Sequence, residues 1–244
     1  MRLLAGLEVP REAITGMGVG GLLMEIVTRP QPRTEPPAVA PRRIAAVVLA
    51  AGRSTRMGGP NKLLAEIGRR PLVRIAAEEA LKSRAKPVIV VSGHQRADVE
   101  QALAGLPLSV VHNPDFADGL GTSLKAGIAA VPADADGAIV LLGDMPQVDA
   151  GLINRLITAF DPDRGALVVV PTFEGKRGNP VLWSRRFFPD LMGIEGDVGA
   201  RHLIRRYGEA VVEAPVDGKA ALTDVDTPEA LIGVKAEIEG AFSK

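Results

Sequence analysis

Along most of the chain, short runs of apolar residues alternate with longer segments whose apolar positions recur three or four residues apart. The runs predict β-strands buried in a sheet, and the longer segments predict helices that pack on it. The strands are predicted at Ile44–Leu49, Val88–Val91, Leu108–His112, Ala138–Leu142 and Leu167–Val170. The helices are predicted at Pro71–Ser83, Arg96–Leu103, Gly119–Val131 and Asp149–Phe160. Because such alternation implies right-handed crossovers, it predicts an α/β fold with a mostly parallel sheet.

The pattern changes in the last third of the chain. Two further short strands are predicted at Pro180–Trp183 and Glu209–Ala214, with a helix over Asp197–Tyr207 between them. A closing helix is predicted over Pro228–Phe242, with Thr227 as its N-cap. These elements extend the same domain to the end of the chain.

The first 43 residues differ from the rest. Residues 29–43 carry five prolines, so this segment is predicted to be an extended, solvated linker. The 28 residues before it are too few to bury a hydrophobic core of their own. The sequence therefore predicts an N-terminal extension and linker over residues 1–43 and one α/β domain over residues 44–244.

Composition and charge narrow the classes of function. Hydrophobic residues make up 46% of the chain and aromatic residues 3%, so Val, Leu, Ile and Ala must form the core. The 29 basic residues balance the 29 acidic ones, which removes any general reason to bind nucleic acid or an anionic membrane. The absence of cysteine excludes thiol nucleophiles and cysteine-ligated metals. No membrane span or signal peptide is recognisable, so a cytoplasmic location is expected.

The first candidate site is the loop after the first predicted strand, because ligands bind at strand ends in open α/β sheets. Its small residues allow backbone N–H groups to approach phosphate oxygens closely. They are Ala50, Ala51 and Gly52. Three cations follow, which are Arg53, Arg56 and Lys62. The spacing fits neither a Walker A loop nor a dinucleotide fingerprint. The loop favours phosphate binding, and a solvated turn is the alternative.

Two aspartates are candidate ligands for a divalent cation. Asp144 follows the apolar strand Ala138–Leu142, where an unpaired carboxylate would be costly to bury. Asp226 lies just before the closing helix. Since Mg²⁺ bridges carboxylate and phosphate oxygens, these residues favour a magnesium site opposite the basic loop. The alternatives are a loop-closing hydrogen bond or a helix cap.

Further candidates lie at other strand ends and in the irregular last third. Gly121, Thr122 and Ser123 open a predicted helix, whose exposed N–H groups suit an acceptor on a nucleobase or a phosphate. A plain N-cap is the alternative there. Gly93 and Asn113 follow the second and third strands. The segments 177–180 and 196–201 are where an acceptor substrate is expected to dock.

Five motifs follow one another along the chain. They are Leu-Ala-Ala-Gly-Arg-Ser-x-Arg-Met-Gly…Lys at 49–62, Gly-Asp-Met-Pro at 143–146, Gly-Asn-Pro-Val at 178–181, Gly-Asp-x-Gly-Ala-Arg at 196–201 and Asp-x-Asp-Thr-Pro at 224–228. With these motifs the chain resembles the MobA-like nucleotidyltransferases over residues 44–242, and among them most closely the molybdenum cofactor cytidylyltransferases. The resemblance implies a Rossmann-like three-layer α/β/α fold of the glycosyltransferase-A, or nucleotide-diphospho-sugar transferase, type.

The resemblance also implies a reaction. Enzymes of this family join a nucleoside monophosphate from an NTP to a phosphorylated acceptor, with Mg²⁺, and release pyrophosphate. Ala50-Ala51-Gly52 resembles the CTP-using branch, since the guanylyltransferase branch usually has Leu-Ala-Gly-Gly in this motif. The implied acceptor is molybdenum-loaded molybdopterin, and the implied client is an oxidoreductase of the xanthine dehydrogenase type. Residues 1–33 resemble the tail of a molybdopterin-binding domain that is fused upstream in some relatives.

Together, the motifs and the resemblance suggest a role for each candidate residue. The catalytic residues would be Arg56, Lys62 and Asp144. The nucleotide would contact Leu49, Ala50, Ala51, Gly52, Arg53, Ser54, Lys62, Gly93, Asn113, Gly121, Thr122 and Ser123. The acceptor would contact Asn179, Asp197 and Arg201. The Mg²⁺ ligands would be Asp144 and Asp226.

Three other functions remain open from the sequence. One is a nucleotidyltransferase of the same fold that uses GTP or acts on a sugar phosphate. The second is a glycosyltransferase in which Asp224 and Asp226 bind the metal of a nucleotide-sugar. The third is a protein without catalytic activity that carries the cofactor to its client.

Overall fold

The computed structural model describes residues 41–54, 61–194, 196 and 199–241. Residues 41–244 form one compact unit, and the fold below is that of this unit. Of the predicted N-terminal extension and linker over residues 1–43, residues 1–40 lie outside the described residues.

Short strands and helices alternate along this unit. The strands are β1 (Ile44–Ala50), β2 (Glu66–Ile67), β3 (Arg70–Pro71), β4 (Val88–Ser92), β5 (Ser109–His112), β6 (Gly137–Leu142), β7 (Val168–Phe173), β8 (Lys176–Arg177), β9 (Val181–Ser184) and β10 (Val211–Pro215). The α-helices are α1 (Leu72–Lys82), α2 (Arg96–Ala102), α3 (Leu120–Ala129), α4 (Ala150–Ala159), α5 (Phe188–Met192), α6 (Arg201–Arg206) and α7 (Pro228–Ala241). Among the described residues, none of these helices is both long and apolar enough to cross a bilayer.

The main sheet has the strand order β10-β7-β9-β6-β1-β4-β5, and β8 pairs with β7 outside this path. Strand β1 pairs in parallel with both β4 and β6, which places it inside the sheet. Strand β9 is antiparallel to both of its neighbours, β6 and β7. The sheet is therefore mostly parallel, with the antiparallel β9 inserted between β6 and β7 and the short β8 antiparallel to β7.

Helices cover both faces of β1. Its seven residues are all buried. Ala46 and Val48 belong to a hydrophobic cluster with residues of α1 and α4, whereas Val47 and Leu49 belong to a cluster with residues of α3. Helix α3 approaches the strand so closely that a Cβ at Gly127 would lie 2.3 Å from Val47 Cγ1. This three-layer arrangement confirms the predicted fold class.

The order of strands creates a switch point beside β1. From β1 the chain builds β4 and then β5 towards one edge, and it returns to place β6 on the other side of β1. In open α/β sheets the crevice at such a point, outside the carboxyl ends of the strands, is where ligands bind. The loop after β1 carries the predicted phosphate-binding residues, and the loop after β6 carries the predicted metal ligand Asp144.

The structure differs from the predicted elements in several places. In the described part of the helix predicted over Asp197–Tyr207, α6 begins only at Arg201, because Gly199 has a φ of +57°, which a right-handed helix cannot contain. The hairpin of β2 and β3, the short strand β8 and the helix α5 were not predicted. The predicted cap of the closing helix is confirmed, since the Ala230 N–H donates a hydrogen bond of 3.2 Å to Thr227 Oγ1.

Candidate active site

A cavity of about 410 Å³ opens at the carboxyl ends of β1 and β6. Its walls come from the loops after these strands, from the segment that leads from β5 into the start of α3, and from the segment before α7. The lining residues are Leu49, Ala51, Gly52, Arg53, Ser54, Lys62, Leu63, Phe116, Ala117, Gly119, Leu120, Ser123, Leu142, Asp144 and Asp226. Nine of the sequence-predicted site residues are in this set, so the structure brings the basic loop and both predicted metal ligands into one place.

Lys62 lies between the two aspartates. Its Nζ is 2.5 Å from Asp144 Oδ2 and 2.5 Å from Asp226 Oδ1. The side chains of Lys62 and Asp144 are 14% and 15% exposed, and that of Asp226 is 30% exposed, so all three are largely shielded from water. Lys62 is the first residue of a short 3₁₀ helix, Lys62–Leu64, which follows the loop after β1.

Burial disfavours the charged forms of both Lys62 and Asp144. It raises the pKa of the Asp144 carboxyl, and the Lys62 ammonium only partly counteracts this effect. Burial lowers the pKa of Lys62, but the charges and hydrogen bonds of Asp144 and Asp226 outweigh it, and the pKa lies above its ordinary value. One ammonium is thus shared by two carboxylates, and it does not fully compensate the cost of burying the charge on Asp144.

The donor set at this point fits a divalent cation. Asp144 Oδ1 is buried and has no hydrogen-bond partner. Carboxylate oxygens are the ligands that Mg²⁺ prefers, and its protein sites commonly use one or two carboxylates together with substrate phosphates. Within the described part of the chain, no group of three or more His, Asp or Glu side chains could hold a metal. A metal at this point would thus be held by Asp144 and Asp226 alone among such side chains and would take its other ligands from substrate phosphates or water.

The position of Asp226 depends on its neighbour Val225. The Val225 N–H donates a hydrogen bond of 2.9 Å to the carbonyl oxygen of Asp144, which joins the two aspartate loops. The Val225 side chain is fully buried. It packs in a small hydrophobic cluster that combines the unpredicted hairpin with α1 and α7, and whose other buried members are Ile67, Leu72, Ile75 and Val234.

Asn61 joins the two described ends of the basic loop. Its Oδ1 accepts hydrogen bonds from Ser54 Oγ at 3.0 Å and from Leu63 N at 3.1 Å. Ser54 Oγ in turn accepts from the Lys62 N–H at 3.1 Å. Ser54 has a φ of +55°, which turns the chain sharply after the strand. Asn61 was not among the predicted site residues, although its position directly before the predicted Lys62 could have indicated a role in the loop. The predicted Arg56 lies outside the described residues.

Five predicted nucleotide-binding residues lie behind the cavity wall, outside its lining. Asn113 Nδ2 donates to Thr122 Oγ1 at 2.9 Å and to Ser123 Oγ at 3.0 Å, which ties the end of β5 to the start of α3. Gly93 and Gly121 permit close packing, because a Cβ at either would come within 2.8 Å of another loop. Ala50 is the last residue of β1. Here the side chains of Asn113 and Thr122 support the wall through hydrogen bonds within the protein.

A second cavity of about 560 Å³ adjoins the first. The two share Leu49, Leu120 and Leu142 in their linings. The other lining residues of the second cavity are Leu124, Val140, Arg177, Gly178, Asn179, Val181, Trp183, Gly199, Ala200, Arg201, Ile204 and Arg205. The predicted acceptor residues Asn179 and Arg201 are among them, whereas Asp197 lies outside the described residues.

Trp183 and Arg205 of the second cavity were not predicted as site residues, whereas Arg177 lies in the segment 177–180 where the acceptor is expected to dock. Arg177 and Arg205 add two cations to that of Arg201, and Arg177 also pairs with Glu213 at 2.8 Å. Trp183, on β9, is 1% exposed. The cavity thus combines a basic rim with an apolar wall built mainly by the strands.

An α/β domain with a basic loop and paired carboxylates at its switch point belongs to the class that binds phosphate-bearing nucleotides. The model of the MobA-like NTP transferase domain matches residues 46–211 of this chain. The chain is therefore a member of the MobA-like NTP transferase family, as the sequence motifs indicated.

Comparison with curated proteins agrees with this membership. The chain is 35% identical over 199 residues to the purine catabolism protein PucB of Bacillus subtilis (strain 168), across 75% of this chain and 91% of PucB. It is 32% identical over 193 residues to the nicotine blue oxidoreductase of Paenarthrobacter nicotinovorans, across 76% of this chain and 93% of that protein. Relatives at similar levels of identity thus carry names that point to different functions.

Solved structures share the fold. The crystal structure of Rv0371C from Mycobacterium tuberculosis H37Rv in complex with manganese superposes with a TM-score of 0.68 at 29% identity. The match covers 79% of this chain and 97% of the other. A protein of similar sequence and fold has therefore been crystallised with a divalent cation.

Proposed function

We propose that this protein transfers CMP from CTP to molybdenum-loaded molybdopterin, with release of pyrophosphate. The observation that carries the proposal is the pair of adjoining cavities at the switch point. One has a basic loop and two carboxylates, and the other has a basic rim over an apolar wall. A transferase needs such a pair, because donor and acceptor must lie side by side for a direct transfer.

The first cavity is the proposed nucleotide site. Lys62 and Arg53 line it and supply positive charge for the triphosphate, and the sequence places Arg56 in the same loop. The small residues Ala51 and Gly52 leave room for phosphate oxygens near the backbone. Ala50-Ala51-Gly52 is the feature that favours CTP over GTP, through its resemblance to the CTP-using branch.

Asp144 and Asp226 would hold Mg²⁺. The bound ion would neutralise charge on the phosphates. The buried, unpartnered Oδ1 of Asp144 supports this role, because a carboxylate in that environment favours a cation.

The second cavity is the proposed acceptor site. Its rim carries Arg177, Arg201 and Arg205, whose guanidinium groups suit an anionic phosphate. Its wall contains Trp183 and aliphatic side chains, which suit the planar pterin ring. Asn179 is held at this rim because its N–H donates to the Ala221 carbonyl oxygen at 2.8 Å.

The proposed reaction does not require a strong general base. A phosphate oxygen of the acceptor is already an anion; it forms a bond to the α-phosphorus of CTP while the bond to the bridging oxygen breaks, and pyrophosphate leaves. The tasks of the protein are to align the two phosphates and to stabilise charge on the leaving group. Lys62 and Arg56 would perform the second task. The product would pass to an oxidoreductase client of the xanthine dehydrogenase type.

One experiment distinguishes this function from its alternatives. The purified protein is incubated with molybdenum-loaded molybdopterin, Mg²⁺ and all four NTPs, and the products are analysed by mass. We expect the CMP adduct and an equal amount of pyrophosphate, and we expect both to disappear in Asp144→Ala. A GMP adduct, transfer only to a sugar phosphate, or binding of molybdopterin without pyrophosphate release would contradict the proposal.

A redox reaction is a further alternative that the same experiment can test. The Paenarthrobacter relative is named as an oxidoreductase, so family membership alone leaves a redox reaction open. Incubation with NADH or NADPH and an oxidised heteroaromatic compound tests this alternative. Oxidation of the nicotinamide cofactor without any CMP adduct would favour a redox function.

A further inference from the structure

The ammonium group of Lys62 lies at the point on which the two carboxylates converge. It is 2.5 Å from one oxygen of Asp144 and 2.5 Å from one oxygen of Asp226. A magnesium ion binds carboxylate oxygens at about 2.0–2.1 Å. Two cations cannot occupy the space between the same two oxygens, so lysine and metal exclude each other from this point.

The carboxylates are the fixed part of this arrangement. The hydrogen bond of 2.9 Å from the Val225 N–H to the Asp144 carbonyl oxygen joins their backbones, and Val225 is anchored in the hydrophobic cluster behind them. Asp144 follows the buried strand β6 directly after Gly143, whose N–H donates to the Leu49 carbonyl oxygen at 2.9 Å. The backbone that carries the two carboxylates is therefore anchored by contacts that do not involve Lys62.

The Lys62 side chain is the part that can move. The backbone of Lys62 is held at both ends, since its N–H donates to Ser54 Oγ at 3.1 Å and its carbonyl oxygen accepts from the Ala65 N–H at 3.0 Å. Its flexible four-carbon side chain has rotatable bonds that can redirect the ammonium without any change in the backbone. Lys62 also lines the cavity together with Arg53 and Ser54, so the proposed triphosphate site is within its reach.

We infer that Lys62 determines the order of binding: it holds the two carboxylates in the free protein and exchanges them for the triphosphate when a metal–nucleotide complex enters. This inference rests on the proposed function, because it takes the first cavity as the nucleotide site. In the free protein the ammonium occupies the metal position, and free divalent ions bind weakly. The ligand that the site accepts is therefore a nucleoside triphosphate that already carries its cation.

The exchange improves the charge balance at the two carboxylates. In the free protein one ammonium faces two carboxylates, and the buried Asp144 Oδ1 is left without a partner. After the exchange a divalent ion faces the two carboxylates, and the ammonium faces the triphosphate. Metal and nucleotide thus assist one another's binding through a single side chain.

The test uses Mn²⁺ alone as the probe, with its free concentration measured by electron paramagnetic resonance. Lys62→Met removes the competing charge, and Lys62→Gln removes it while keeping a polar side chain. The matched control is Lys82→Met, because Lys82 is also ion-paired, at 2.6 Å to Glu79, but on the exposed surface of α1. We expect both Lys62 variants to bind Mn²⁺ at least about tenfold more tightly than the wild type, since a like charge has been removed from the site. The control is expected to match the wild type.

Thermal unfolding provides a second measurement that does not depend on activity. Mn²⁺ is expected to raise the melting temperature of Lys62→Met and Lys62→Gln, but to leave that of the wild type unchanged unless CTP is present. Equal Mn²⁺ affinity in the wild type and both Lys62 variants would overturn this inference and leave the proposed CMP transfer standing. If none of these proteins bound Mn²⁺, with or without CTP, both this inference and the metal assignment would be wrong.

Discussion

Truncation of Val225 to alanine tests whether the hydrophobic cluster behind the aspartates positions the site. Val225 is fully buried, and its backbone joins the Asp144 and Asp226 loops. Val225→Ala removes two buried methyl groups, which costs about 2 kcal/mol of unfolding free energy once the residual cavity is included. A domain with a stability of about 5–15 kcal/mol remains folded after that loss.

The expected effect on activity is larger than the effect on stability suggests. With a cavity beside it, the Asp226 loop can shift, and a displacement near 1 Å in a reactive site can lower the rate by about 100-fold. We expect the rate of CTP-dependent pyrophosphate release to fall by about 10–100-fold. Stability is measured by urea unfolding, and activity is measured far below the unfolding midpoint.

Val234→Ala is the matched control for this change. Val234 lies in the same cluster and is 4% exposed, but it belongs to α7 and makes no hydrogen bond to the Asp144 loop in the described structure. We expect a similar loss of stability with a much smaller loss of activity. Equal losses of activity in the two variants would refute the reasoning, because the effect would then follow from stability alone.

Three further predictions concern charge, packing and the acceptor. Burial raises the pKa of the Asp144 carboxyl, so the charged carboxylate destabilises the folded protein. Asp144→Asn removes this charge and should leave the urea midpoint equal to or above that of the wild type, while it abolishes pyrophosphate release. Gly127→Ala should lose about 1–3 kcal/mol of unfolding free energy, since its Cβ would lie 2.3 Å from a β1 valine. Gly233→Ala is the control on α7: its Cβ would have nothing within 4 Å, and it should gain stability because alanine favours a helix over glycine. Arg205→Gln should raise the KM for molybdopterin at least about tenfold and leave the KM for CTP unchanged in initial-rate assays; a change confined to CTP would contradict the acceptor assignment.

Most of the fold could be predicted because the central strands are buried on both faces. A strand such as β1 is then a continuous apolar run, which is the clearest signal that a strand can have. The β2–β3 hairpin could not be predicted, since two residues per strand are too few for any periodic pattern. The antiparallel direction of β9 was equally hidden, because an apolar run does not reveal which way its strand points.

The candidate site could be predicted only in part. The rule that ligands bind at strand ends places Lys62 and Asp144 together, because both follow parallel strands of one sheet. The contact between Lys62 and Asp226 spans 164 residues, and it depends on packing around Val225 that no local pattern encodes. Arg205 belongs to a pair of adjacent arginines on a helix, and such pairs usually lie on a solvated face.

The topology also suggests how the proposed donor and acceptor sites are separated. The proposed nucleotide cavity is built largely by loops that follow the parallel strands β1 and β6. The proposed acceptor cavity depends on the antiparallel β9, which supplies Val181 and Trp183, and on α6, which supplies Arg201 and Arg205. Among the described residues the two linings share three leucines, so we expect substitutions on β9 and α6 to alter acceptor binding without touching Lys62 or the carboxylates. Such a separation would allow one fold to serve relatives whose names point to different functions.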